Sequence, residues 1–258
     1  QVLQESIALN RKLGQLWQVG LSLAAVGAVR HDQGRPAEAY TLLKESVTVC
    51  QQVGVPRNTT FAVGLLARTA QALGYHEDLP PLLREQLRLA IEMNDRSAAA
   101  FALEHLGLSL QAQGRAPEAR RHFQQSIATY ADLGDLWSLS RVSNYAGELA
   151  LDQQHWPEAR QLFAQAWQAA VEGNVRLNAL DALLGMATLN LRMAQCEDAL
   201  TLACFVRSDS NSRLDAQQRA DDVCRAAEAQ LTASQIEAAR GRAQARSLER
   251  LMAEVPSV

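Results

Sequence analysis

The sequence predicts an all-α protein, an α-solenoid of antiparallel helix pairs. Two punctuation series and one pattern of small and large residues carry that prediction. The first series starts at Gly34-Arg35-Pro36-Ala37-Glu38-Ala39 and recurs every 40 residues, opening with Gly34, Gly74, Gly114, Gln154 and Ala194. Its fifth column is Glu38, Asp78, Glu118, Glu158, Asp198, and its sixth is Ala39, Leu79, Ala119, Ala159, Ala199. Glycine tolerates the left-handed conformation just past a helix end. Proline at a first helical position gives up only an amide that had no partner, and an acid in the first turn faces the positive end of the helix dipole. The second series, Gly14, Gly54, Asn94, Gly134, Asn174, has the same period and marks the end of the second helix of each pair.

The side-chain columns supply the packing. Gly27, Ala67, Gly107, Gly147 and Ala187 mark close approaches on the first helices. Leu43, Leu83, Phe123 and Phe163, with Val47, Leu87, Ile127 and Trp167 one turn on, form the apolar stripe of the second helices. One pair cannot bury such a stripe alone, so neighbouring pairs stack. The aromatic residues on these stripes are therefore read as core.

Taken in order, residues 1–14 align with the second helix of a repeat whose first helix is missing, with Leu3, Ser6 and Ile7 in the columns of Leu43, Ser46 and Val47. That predicts a fragment of a longer array, with Leu3, Ile7 and Leu9 on an uncovered face. Residues 15–207 hold five repeats. Residues 208–258 lose the period and read as capping helices, with a loop at 208–212 and helices near 216–231, 234–242 and 248–255.

The chain has 258 residues, 25 Lys+Arg against 28 Asp+Glu, and a net charge of −3. This balance gives no field to gather nucleic acid or anionic lipid. No apolar run approaches the ~18 residues of a membrane span. Cys50, Cys196, Cys204 and Cys224 form no Cys-x-x-Cys pair and read as reduced, buried thiols. A cytoplasmic protein is expected.

The columns Gly27, Ala39, Leu43, Ser46 and Gly107, Ala119, Phe123, Ser126 resemble the small, small, large and small signature of the tetratricopeptide (TPR) family. The period here is longer than that family's usual one of about 34 residues. The resemblance covers residues 1–207 and implies a right-handed superhelix. Further on, Ile236-Glu237-Ala238-Ala239-Arg240-Gly241-Arg242-Ala243 with Ser247-Leu248-Glu249 resembles the end of bacterial signal-transduction ATPases of the NB-ARC and MalT-like (STAND) type. Those proteins finish with an aromatic-bearing helix, a Gly-Arg-Ala turn and a Leu-Glu helix. Ile236 replaces the aromatic, and the spacing after Ala243 is longer.

No P-loop, nucleophile elbow or His-Glu-x-x-His occurs, so the residues point to a non-enzyme without a cofactor or metal. His31, His76 and His155 read as solvated turn residues, and His105 and His122 have no metal-binding partner at helical spacing. By resemblance, ligands sit in a concave groove lined by the first helices. The carried-over positions are Phe61, Arg68, Gln71, Phe101, Glu104, Gln111, Arg141, Asn144, Glu148, Asp181 and Arg192. The expected partner is a protein, a peptide or a small inducer in that groove, with an upstream nucleotide-binding domain in the same chain. The expected function is the sensor domain of a multidomain signalling ATPase. A free-standing TPR scaffold is the alternative.

Overall fold

Every twentieth residue from Gly14 to Ala194 takes a left-handed backbone conformation in the computed structural model, which describes residues 2–75, 79–210 and 212–245. Between these reversals run α1 (Val2–Lys12), α2 (Leu16–Asp32), α3 (Pro36–Val53), α4 (Pro56–Leu73), α5 (Leu79–Glu92), α6 (Arg96–Ala112), α7 (Ala116–Leu133), α8 (Leu136–Asp152), α9 (Trp156–Glu172), α10 (Arg176–Arg192) and α11 (Cys196–Ser208). Two helices outside the period follow, α12 (Leu214–Glu228) and α13 (Ala233–Gln244). No strand occurs among the described residues. Both punctuation series therefore mark helix ends, although His76, Glu77 and Asp78 lie outside the described residues. Gln154 and Ala194 hold φ of 61° and 59° without the relief of glycine, at a cost of about 1 kcal/mol each. Asp95 and Asp135, each directly after a reversal, cap α6 and α8 by accepting from Ala98 N (2.9 Å) and Ser138 N (3.0 Å).

The chain divides into two compact units, Gln1–Thr129 and Tyr130–Val258. In the first, the small column works as a socket for the large one. A Cβ at Gly27 would lie 2.6 Å from Leu43 Cγ, and one at Gly107 would lie 2.5 Å from Phe123 Cε1. The serine column is more than small: Ser46 Oγ donates to Gly20 O (2.7 Å) and Ser126 Oγ to Ala100 O (2.9 Å). Gln86 takes the same column and its Nε2 reaches Thr60 O at 3.2 Å. The same offset thus ties α3 to α2, α5 to α4 and α7 to α6, each through a bond from a buried side chain to the backbone. Ile7 is buried against Val19, Leu23 and Val26 of α2, which corrects the expectation that it lies uncovered. Leu9 is exposed, and the side chain of Leu3 lies outside the described residues.

In the second unit Phe163 is wedged between two glycines. A Cβ would meet its ring at 2.7 Å from Gly147 and at 2.3 Å from Gly185. Ala187, the small-column residue of this repeat, is fully buried, and Gly185, two residues earlier, is a further close approach outside that column. Trp167, Ala199, Leu200 and Val206 continue the core, and Val223, Cys224 and Ala239 extend it onto α12 and α13. Gly241-Arg242-Ala243 lies inside α13, whereas the family it resembles has a turn at those residues. A capping box between Thr232 and Gln235 starts that helix. Its helical run carries Arg242 to Glu197 at 3.1 Å. The Ser247-Leu248-Glu249 motif and the helix expected at 248–255 lie outside the described residues.

Candidate binding faces

The first helices of the first unit present an open, aromatic face. Phe61 on α4 is 53% exposed. One turn on, Gly64 makes room for Phe101 of α6, whose Cε1 lies 2.8 Å from where a glycine Cβ would stand. Phe101 packs on the His105 ring with centroids 4.2 Å apart. Arg68 is exposed and faces Asp32 of α2 at 3.6 Å. Gln71 and Gln111 are half-buried along the same helices. Glu104 is 1% exposed, so it does not belong to this surface.

His31 is not a solvated turn residue. It lies in α2, and its Nδ1 is 3.2 Å from Thr69 Oγ1. The Thr69 hydroxyl donates its one proton to Leu65 O (2.9 Å), so the imidazole nitrogen must be the donor to Thr69. Burial, and then the charge of Arg68, push the His31 pKa below the usual histidine range, with Asp32 opposing. Burial and Arg121 do the same to His122. His105 is buried beneath Phe101.

The corresponding face of the second unit is closed by the chain itself. Arg213, at the start of α12, pairs with Asp181 of α10, and Arg219 of α12 pairs with Glu148 of α8 at 2.7 Å. Arg176 holds Asp209, at the end of α11, at 2.6 Å and fixes the approach to α12. Burial pushes the Asp181 carboxyl above the usual carboxylate range, with Arg213 pulling it back. Asn144 is 6% exposed and structural: its Nδ2 donates to Asn178 O (3.0 Å), while Asn178 Nδ2 donates to Ser140 Oγ (2.7 Å). Those bonds join α8 to α10. Arg192 is exposed. Arg141 lies over the ring of Trp137 at 4.2 Å from its centroid, and Trp137 is 52% exposed. The sequence reading missed Trp137. Its signal was the column it shares with Trp17 and Leu177, exposed apolar residues in the first turn of a first helix.

Among the described residues no helix is long and apolar enough to cross a membrane, and no three His, Cys, Asp or Glu side chains converge as a metal site. Residues 102–133 match the tetratricopeptide-repeat family model. No curated protein matches the chain by sequence. Among solved structures the chain is similar to BtubC (BKLC) from P. vanneervenii, with a TM-score of 0.62, 13% identity, and coverage of 100% of this chain and 92% of that one. It is also similar to nearly identical TPR-like repeats described as a kinesin light chain from Podosopora anserina, with a TM-score of 0.54 and 19% identity. That match covers 81% of this chain and 94% of the other. At these identities the likeness establishes the fold, an all-α TPR-type array.

Proposed function

We propose that the chain is a protein-interaction module that binds a peptide segment of its partner on the first-helix face of the first unit. The exposed Phe61 beside the Gly64–Phe101 contact carries this reading. Exposed aromatic residues on a rigid helical face are the usual anchors of an interface, and Arg68 with Gln71 and Gln111 supplies a polar rim. The partner is an apolar-anchored peptide. Panning a random peptide library against the whole chain tests it. Selected peptides should lose at least about tenfold in affinity on Phe61→Ala or Phe101→Ala and be unaffected by Arg192→Ala. Peptides that bind those two variants as tightly as the native chain would overturn the reading.

The finer proposal places this module as the sensor domain of an NB-ARC-type signalling ATPase, with residues 1–14 closing an earlier repeat, 15–207 forming five repeats and 208–258 the cap. It is supported by the resemblance of residues 236–243, weakened by the helical Gly241. A P-loop encoded upstream of Gln1 in the same reading frame is the expected observation. An upstream frame without one favours the free-standing scaffold, with which the repeat fold is equally consistent.

A further inference from the structure

Two of the four cysteines meet. Cys204 of α11 and Cys224 of α12 bring their sulfurs to 3.6 Å inside the core of the second unit, where they are 6% and 2% exposed. A pair of buried thiols is on its own ordinary core material. Two further features set this pair apart. The guanidinium of Arg207 stands 3.9 Å from Cys204 Sγ, and its side chain reaches solvent. The sulfurs also face each other across two different helices, with no intervening side chain to displace. A disulfide holds its sulfurs about 2 Å apart, so closure needs only a small side-chain rotation and approach.

We propose that Cys204 and Cys224 form a redox-active dithiol that closes to a disulfide on exposure to a two-electron oxidant such as hydrogen peroxide, tying α12 to α11. Cys204 is the attacking sulfur. The hydrogen bond from the Cys224 thiol, and then the Arg207 charge, lower its pKa to about 7 against the penalty of burial. The partner thiol Cys224 is pushed up by that same bond and by burial, so it holds its proton. The Cys204 thiolate attacks one peroxide oxygen, the O–O bond breaks, and the departing hydroxide is protonated to water, leaving a sulfenic acid. The Cys224 sulfur then attacks the Cys204 sulfur and loses its proton. The S–O bond breaks and a second water leaves. Two thiols have given up two electrons and two protons, and the peroxide has taken them.

The bond has a structural consequence. The segment it closes includes Arg213 and Arg219, the two side chains that cover Asp181 and Glu148. Oxidation therefore fastens the segment lying over the second unit's face, whatever binds to the first unit.

Cys50 is an internal control: it is buried, and burial raises its pKa from the ordinary thiol value. Cys204 therefore holds the larger thiolate fraction at neutral pH, and its lower intrinsic nucleophilicity offsets only part of that advantage. The test treats the whole chain with hydrogen peroxide at pH 7, alkylates the remaining thiols, and maps them by mass spectrometry. Cys204 and Cys224 should disappear together, severalfold faster than Cys50, with the mass falling by two hydrogens. Fragmentation should place the bond between them, and dithiothreitol should restore both. In Cys224→Ala and Cys224→Ser, Cys204 should accumulate a sulfenic acid that dimedone traps. In Cys204→Ser, Cys224 should stay reduced. Loss of Cys204 no faster than Cys50 in the native chain would overturn the proposal, as would a bond mapped to another cysteine.

Discussion

The two units use the same repeat to make opposite surfaces. In Gln1–Thr129 the first helices show solvent Phe61, with the half-buried Phe101 against Gly64 and Arg68 at the edge. In Tyr130–Val258 the equivalent helices bear Glu148 and Asp181, and the chain covers both with Arg219 and Arg213. The repeat thus dictates the scaffold and leaves the exposed positions of each first helix free to differ. What closes the second face is a helix outside the period.

The comparison breaks hardest at the shared scaffold. Gly107→Leu should cost roughly 3 kcal/mol or more, because the first added carbon already meets Phe123 Cε1 at 2.5 Å. Gly114→Ala meets no atom within 4 Å and strains only a φ of +73°, about 1 kcal/mol. Denaturant melts of the two variants decide it; equal losses would mean that the small column is not a socket.

A smaller effect is expected at the closure of the second unit. Arg213 and Arg219 are both about half exposed, so each pair contributes no more than ~1 kcal/mol after solvent screening. The double change Arg213→Ala, Arg219→Ala should raise amide exchange in α12 by about fivefold or more and leave α3 and α7 unchanged. Uniformly faster exchange would show that α12 supports the whole chain and does not simply cover one face.

Smaller still is a pH effect confined to the first unit, which holds both depressed histidines. For His31 and His122 the unfolded chain binds a proton below about 6.5, while the folded chain resists it. Stability from these groups is therefore fully present above that value and falls as pH drops toward the folded pKa values. Urea melts between pH 7.5 and about 5 should show the loss, and His31→Gln should remove part of it. A profile that is flat or rises toward acid would contradict the assignment of a neutral, Thr69-bonded His31.

The smallest expected effect is a gain. Ala194→Gly removes a β-carbon from a left-handed residue and should stabilise by about 1 kcal/mol or less. A loss on thermal melting would show that the Ala194 side chain contributes contacts beyond its backbone conformation.

The legible part of the fold was the part encoded locally. Gly34, Pro36 and Asn94 state their backbone requirements one residue at a time, so ten reversals could be placed from composition and spacing. Gly107 opposite Phe123 was readable because their separation is fixed by the period. The face was less legible. Glu104 and Asn144 occupy positions carried over as exposed, yet both are buried. Asn144 even spends its amide on the carbonyl of Asn178, 34 residues away. Arg213–Asp181 and Arg219–Glu148 span 32 and 71 residues and obey no repeat, so no periodic argument could find them. The Cys204–Cys224 contact likewise joins a periodic helix to one beyond the period.

The claim that one face is open and the other closed is tested most directly by chemical-shift mapping of the whole chain with a selected peptide. Perturbations are expected at Phe61, Arg68, Gln71 and Phe101, with Glu148, Asp181 and the amides of α12 unmoved. Perturbations centred on Arg141, Glu148 and Asp181, with α12 amides released and Phe61 silent, would contradict it.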